Sequence, residues 1–301
     1  MKRSASDTPK PLIGIVLPTY NGARHLDASI ESCLEQTWRH LELIVVDDGS
    51  TDPKTGEILA RWESDARLRL VRLAENGGLP RALNAGFRET RGEMLTWTSD
   101  DNLYRPDALE VMARELERGG ADFVYAAATA IDDEGKRIGA IAPREPQRLI
   151  IGNCVGPCFL FTRQVFESTG WFDPAAALAE DYDYWVRVSK RFRMRPIQED
   201  LYLYRFHKAA LTSVHGHERV AEKIEETRAK HFPRTQILAA DGLRAFDRGD
   251  RAAARRLLVA ALLRNPAAVS LYRPAAICAL PRFLVQGIVR LKGALGKPEK
   301  R

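Results

Sequence analysis

Short apolar runs, each closed by a turn or a polar pair, recur along the first hundred residues. Leu12–Leu17 (Leu-Ile-Gly-Ile-Val-Leu, closed by Pro18), Leu43–Val46 and Leu95–Thr98 are too short for helices and have the continuous apolar character of strands buried on both faces. Leu68–Leu73 is a fourth strand, alternating with Arg67, Arg69 and Arg72, which reads as a solvated strand face. Between the strands lie helical segments: 26–36, with Leu26, Ile30, Cys33 and Leu34 on one face, then 55–64 and 81–89. Strand and helix alternate at the spacing of βα units. The pattern predicts an α/β fold with a mostly parallel central sheet flanked by helices.

Further along, the spacing predicts a helix over 107–118, a strand over 122–127, a turn at 131–136, a strand ending near Phe161 and a turn at Gly170–Asp173. Residues 178–190 open with acids and read as a helix, and Leu201–Phe206 is a last strand, followed by His207. Pro143 and Pro146 block a regular helix over 141–153, which is expected to be mobile. From Glu218 the pattern becomes helical. Residues 236–247 and 251–264, split by Arg248-Gly249-Asp250, resemble one tetratricopeptide-type hairpin. A single such hairpin cannot build a solenoid and reads as a packing appendage. The expected organisation is a flexible N-terminus (1–10), an α/β domain (11–217) and a helical C-terminal appendage with a basic amphipathic tail (218–301).

Composition narrows this little. The 301 residues are 45% hydrophobic and 29% charged, ordinary for a globular chain with a sizeable core. A net charge of +6 favours anionic partners without choosing among them. Four cysteines are too few and too scattered for a disulfide scaffold, and Cys154 and Cys158 lack a second close pair that would argue for structural zinc. The N-terminus carries no signal-peptide pattern, and no apolar run reaches the roughly 18 residues of a spanning helix, so cytoplasmic residence is expected. Leu271–Leu295 is apolar but broken by Arg273, Pro281, Arg282 and Arg290. Two readings stand for it: peripheral attachment to an anionic membrane surface at the inner face of the cell membrane, or a docking helix with a basic tail.

The chemistry gathers at strand ends. Thr19 and Tyr20 follow the first strand, Asp47 and Asp48 the second, and Asp100 and Asp101 the fourth. Ligands of open α/β sheets bind beyond the carboxyl ends of strands, so these clusters predict one crevice. Two adjacent carboxylates suit a cation such as Mg²⁺ or Mn²⁺ whose coordination phosphates complete; a solvated turn capping the next helix is the plain alternative. Gly156 suits either a close ligand approach or a positive-φ turn.

At this level of detail the chain resembles the inverting family 2 glycosyltransferases of GT-A fold. The resemblance covers residues 11–215. It is carried by Val16-Leu17-Pro18-Thr19-Tyr20-Asn21, Glu42–Asp52, Asn76–Gly86, Ser99-Asp100-Asp101 and Glu180–Trp185, in order and at suitable spacing. It implies that Pro18, Thr19, Tyr20, Asp48, Arg81, Asp100 and His207 contact a nucleotide-diphosphate sugar. It implies Asp101 as metal ligand with Asp100 and His207 near the cation, and Asp181 as general base with Glu180 as competitor for that role. Trp171 and Trp185 fall on the acceptor side, where either could stack on a sugar or pack internally. The implied reaction is metal-dependent transfer of a sugar to a hydroxyl of a glycan or lipid-linked acceptor, in bacterial cell-surface polysaccharide synthesis. The rivals are a non-catalytic nucleotide-sugar-binding relative, which the retained Asp181 opposes, and a nucleotidyltransferase, for which Pro18–Asn21 offers no Gly/Lys-rich phosphate cradle. No nucleic-acid motif accompanies the arginines, and no nucleic-acid partner is expected.

Overall fold

The computed structural model describes residues 10–208 and 210–279. The chain divides into two compact units, 1–227 and 228–301. The first opens with β1 (Ile13–Thr19), α1 (Leu26–Leu34), β2 (Leu41–Asp47), α2 (Pro53–Trp62), β3 (Leu68–Arg72), α3 (Leu79–Glu89) and β4 (Met94–Trp97). It continues with β5 (Leu103–Tyr104), α4 (Ala108–Glu117), β6 (Phe123–Ile131), β7 (Arg137–Ile141), β8 (Cys158–Thr162), α5 (Arg163–Thr169), α6 (Glu180–Ser189) and β9 (Met194–Arg205). Helices α7 (Leu211–His215) and α8 (His217–His231) follow.

The nine strands of the described residues form one sheet, ordered β3-β2-β1-β4-β8-β6-β9-β5, with β7 paired to β6. Strands β3, β2, β1 and β4 run parallel, as the alternation of strand and helix predicts; β8 then pairs antiparallel to β4 and β6, and β6 pairs parallel to β9. Every residue of β1 is buried, because both of its faces are covered. Ile13, Ile15 and Leu17 join one core with Leu26 and Ile30 of α1, Leu59 of α2 and Met112 of α4. Val16 points the other way, toward α3.

Pro18 lies inside β1 rather than closing it. Val16 accepts from Thr98 N at 2.9 Å on the β4 side, and the β1–β4 pairing ends at Val16↔Trp97. Pro18 faces the same side, beyond the last pair, where its missing N–H leaves no ladder bond unmade. On the other edge β1 stays paired with β2 as far as Thr19↔Asp47. Register thus delivers Thr19, Asp47 and the loop after β4 to one end of the sheet.

The second face is aromatic. Phe87 of α3 stacks on Phe172 (5.8 Å), Phe172 on Tyr184 (4.2 Å), and Trp185 packs edge-on against Phe123 (4.9 Å) and Phe159 (4.6 Å). These contacts fix α6 one turn beyond its acidic start. Trp185 is fully buried, so it packs inside and offers no sugar-stacking face; Trp171 remains half exposed. The 141–153 segment, expected to be mobile, is tied down at two carbonyls. Tyr125 Oη donates to Arg144 O at 2.5 Å and Tyr182 Oη to Leu149 O within a 3₁₀ turn at Pro146–Ile150. Strands β5 and β7 and helix α5 escaped the periodicity, being two to seven residues long.

In the second unit α9 (Arg234–Asp247), α10 (Arg251–Arg264) and α11 (Tyr272–Ala279) enclose a core of Leu238, Ala245, Ala254, Leu258 and Ala275. Asp250 caps α10 by accepting from Ala253 N at 3.0 Å, and Gly249 takes a positive φ of 78° at the corner. Among the described residues no helix is long and apolar enough to cross a membrane. Residues 1–9 of the expected flexible N-terminus, and 280–301 of the expected basic tail, lie outside the described residues.

Two glycines give opposite expectations. A Cβ at Gly86 would sit 2.3 Å from Val16 Cγ1 and 3.0 Å from Val46 Cγ2, so α3 rests directly on β1 and β2. Gly86→Ala is expected to destabilise by about 1–3 kcal/mol. Gly56, exposed in α2, has nothing within 4 Å, and Gly56→Ala is expected to stabilise by about 0.5–1 kcal/mol. Urea unfolding of both variants checks the sign of each change.

Candidate active site

The crevice begins with Asp100. Its Oδ2 accepts from Thr19 Oγ1 at 2.6 Å, and Gly22 leaves it room: a Cβ there would lie 1.9 Å from the same oxygen. Burial, then the Asp101 charge beside it, pushes the Asp100 carboxyl up to about 7. Thr19 is buried and spent on this bond, whereas Tyr20 is half exposed at the rim.

Asp101 has a different environment. Its Oδ2 lies 2.8 Å from His207 Nε2, and its Oδ1 is buried without a hydrogen-bond partner. Such an oxygen is costly unless a ligand meets it. Arg205, almost fully buried, does not neutralise the carboxylate. Its guanidinium donates instead to three main-chain carbonyls, those of Asp101 (2.9 Å), Asp132 (3.1 Å) and Asp133 (3.0 Å), and Asn102 Oδ1 accepts from Arg205 N at 2.8 Å. This ties the β6–β7 turn under the acidic loop. The turn is held a second time from the residues just before α1: His25 Nε2 is 2.9 Å from Asp133 Oδ1 and Arg24 is 2.6 Å from Oδ2. His25 also packs edge-on against His207, ring centres 5.6 Å apart, and burial lowers its pKa.

The donor set suits a hard divalent cation in part. The orphaned Asp101 oxygen fits one carboxylate ligand, and His207 lies beside it. Asp100 is turned to Thr19, however, and among the described residues no group of three or more His, Cys, Asp or Glu is arranged to hold a metal. A cation here would need further oxygens from a ligand such as a diphosphate.

On the neighbouring strand end, Asp48 accepts from Gly77 N and Gly78 N, one on each oxygen, both at 2.9 Å. Burial raises its pKa against those two bonds. One lone pair per oxygen is left for a ligand. Asp47 instead accepts from Ser50 N at 2.9 Å and shapes its own loop. Asn21, at φ 55°, locks the first two strand-end loops: its Oδ1 accepts from Thr51 N (2.8 Å) and Asp52 N (2.9 Å). Arg81 is exposed on α3 and lines a cavity of about 400 Å³ with Leu73, Glu75, Gly77, Asn84 and Arg88.

Glu180 and Asp181 open α6. Glu180 is buried, its Oε2 has no partner, and burial followed by the Asp181 charge lifts it to about 7. Asp181 is half-buried, and burial raises its pKa also; Oδ1 accepts from Tyr182 N at 2.6 Å and Oδ2 from Asn153 Nδ2 at 2.7 Å. Leu178, two residues before Glu180, takes φ 74°, a conformation costing an L-residue about 1–2 kcal/mol. The approach to α6 is held by Asn84 of α3, which pairs with Phe172 through Nδ2 to O (2.8 Å) and Phe172 N to Oδ1 (2.9 Å). Tyr204 of β9 is largely buried: that burial, then the charges of Asp101 and Asp181, push its phenol up to about 12. Gly156 has only Ile141 near an added Cβ, at 3.7 Å, so its φ of 80° is what requires glycine.

Periodicity and motif spacing missed Arg205, Asn84, Asn153 and His25. Each is defined by a partner distant in sequence, and a lone Asn, Arg or His carries no local signal of that partner.

Comparisons with known proteins bear on the family and the fold. The sequence model of glycosyl transferase family 2 matches residues 14–170. An uncharacterized glycosyltransferase of Rickettsia felis is 31% identical over 231 residues, covering 72% of this chain but only 37% of that protein. Another, RT0329 of Rickettsia typhi, is 31% identical over 219 residues, covering 69% of this chain and 68% of its own length. Among solved structures, S. aureus TarS 1-349 in complex with UDP-GlcNAc superposes with a TM-score of 0.58 at 14% identity, over 96% of this chain and 93% of that one. At that identity the likeness is one of fold.

The raised carboxyl of Glu180 has a consequence for stability. Its folded-state value of about 7 lies above its ordinary 4.5, so the folded protein binds the extra proton between those values. The stability this contributes is present below pH 4.5 and lost as pH rises through 7. Glu180→Gln is expected to gain on the wild type over that window by on the order of 1 kcal/mol per pH unit. Denaturation midpoints of both proteins at pH 5, 6, 7 and 8, without divalent cations, measure the difference; a constant gap would refute the assignment.

Proposed function

The chain belongs to glycosyl transferase family 2, and from that premise we propose that it catalyses inverting transfer of a sugar from a nucleotide-diphosphate donor to a hydroxyl of a glycan or lipid-linked acceptor. The observation that carries this reading is the buried Asp101 Oδ1, which has no hydrogen-bond partner and belongs to the carboxylate that His207 approaches at 2.8 Å. An unmet carboxylate oxygen there suits a cation held together with a diphosphate, and Asp181 at the start of α6 supplies a carboxylate held by neutral donors for the incoming hydroxyl.

In this mechanism the nucleoside lies along the ends of β1 and β2, against Pro18, Thr19 and Tyr20, with Asp48 offering its free lone pairs and Arg81 reaching in from α3. Asp101, with His207 and Asp100 near it, would hold Mg²⁺ or Mn²⁺. Such an ion, when bound, offsets negative charge growing on the departing diphosphate. Asp181 takes the proton of the acceptor hydroxyl as that oxygen attacks the anomeric carbon from the opposite side. Its raised basicity, caused by burial, suits proton abstraction near neutral pH. Glu180, more deeply buried, is less able to meet an acceptor. The UDP-GlcNAc complex of TarS, a protein of the same fold, supports a UDP-sugar donor, and an acceptor in bacterial surface-glycan synthesis is the role that the sequence resemblance implies.

Two measurements test this. UDP with Mn²⁺ is expected to raise the melting temperature of the wild type by several degrees at saturating ligand, and Asp101→Asn is expected to lose most of that shift. Asp181→Asn is expected to keep the shift while losing at least about 1000-fold in turnover across a panel of nucleotide sugars. Absence of both binding and turnover in a folded wild type would remove the enzyme reading.

A further inference from the structure

A general base must present a lone pair toward the proton it removes. Asp181 stands at the second position of α6, where the terminal bond of an aspartate rotates over a broad range. Two neutral donors stop that rotation. One is Tyr182 N, the next residue in the chain. The other is Asn153 Nδ2, 28 residues upstream.

Asn153 is itself oriented. Val155 N donates to its Oδ1 at 3.2 Å, which assigns the carbonyl oxygen to that side and leaves the NH₂ group facing Asp181. The segment around it is anchored by the bonds of Tyr125 to Arg144 O and of Tyr182 to Leu149 O, and by the buried side chains of Leu149 and Val155. Tyr182 also supplies the other donor to Asp181, so one residue serves both the base and the loop that carries Asn153.

We infer that Asn153 is the positioning residue of Asp181: its amide fixes the carboxylate plane so that one lone pair on each oxygen faces the crevice. The inference rests on Asp181 being the general base. A neutral donor is the chemistry that this task needs. Arginine or lysine would hold the carboxylate as firmly but would stabilise its charge and cost it basicity. The charged or titratable groups facing Asp181 are Glu180 beside it and Tyr204 from β9. Among the described residues, α5 and the 3₁₀ turns at Pro146–Ile150 and Pro174–Ala176 pack on α6 and make no ion pair with Asp181. Removing Asn153 therefore subtracts one hydrogen bond and no charge. Since that bond favours the ionised carboxylate, its loss moves the proton affinity of Asp181 upward.

The test compares full-length wild type, Asn153→Ala, Asn153→Ser and Asp181→Asn, following nucleotide release from UDP-glucose, UDP-galactose, UDP-GlcNAc and dTDP-rhamnose with Mn²⁺. For the donor turned over, Asn153→Ala is expected to lower kcat about 10-fold with donor KM changed less than about twofold, and to move the acid limb of the kcat profile upward by about one pH unit. Asn153→Ser, which keeps a neutral donor, is expected to recover part of both. Carboxyl ¹³C NMR gives a readout without turnover: the Asp181 signal, assigned by its loss in Asp181→Asn, is expected to titrate at higher pH in Asn153→Ala. An unmoved acid limb and an unmoved carboxyl titration would overturn the inference, even if kcat fell. Full turnover by Asp181→Asn would instead overturn the base assignment and the role of Asn153 with it. An inactive Asp181→Asn beside a wild-type-like Asn153→Ala would overturn the Asn153 role alone.

Discussion

Acids must be kept close together and partly dry without being neutralised; the rest of this site follows from that constraint. Asp100, Asp101, Glu180 and Asp181 all stand on structured backbone, and their hydrogen bonds come mostly from neutral groups. Thr19 serves Asp100 and Asn153 serves Asp181. The nearest buried cation, Arg205, turns its guanidinium to main-chain carbonyls. It braces the acidic loop while leaving the Asp101 carboxylate without a salt bridge to arginine. Had it paired with that carboxylate, the oxygen now left without a partner would be satisfied and the attraction for an outside cation reduced.

The sheet makes this arrangement by register. The β1–β2 pairing runs to Thr19↔Asp47, while β4 stops three residues short of it along β1. That stagger admits Pro18 and opens the space into which the loop after β4 turns. The aromatic layer on the second face does the same for α6, since Tyr184 and Trp185 lie one turn beyond Glu180 and Asp181 and are locked against Phe172, Phe123 and Phe159. One acidic pair is placed by strand pairing and the other by ring packing.

Much of this was legible in the chain. Continuous apolar runs ending in Asp47-Asp48 and Asp100-Asp101 located the strands and their shared end, because burial on both faces leaves a strong signal. Periodicity could not reach features decided by long-range partners. Trp185 looked equally suited to a sugar or a core until the packing of α6 settled its direction. The 141–153 segment looked mobile because prolines forbid a helix, yet prolines do not forbid a loop fastened by tyrosines. Arg205 read as one basic residue among 46 Lys and Arg, and only three carbonyls converging on it mark it out.

The double hydrogen bond between Asn84 and Phe172 has a wider implication. Helix α3 carries Arg81 beside the loop at Glu75 and Gly77 and Asn84 against the segment leading to Glu180 and Asp181, and Gly86 seats that same helix directly on the sheet. Two halves of the crevice therefore share one mechanical support. A lineage that shifted α3 to alter one end of the crevice would disturb the other end as well. Divergence in specificity is thereby channelled toward side chains at the rim, such as Tyr20, Arg88 and Trp171, which can vary while the frame stays put.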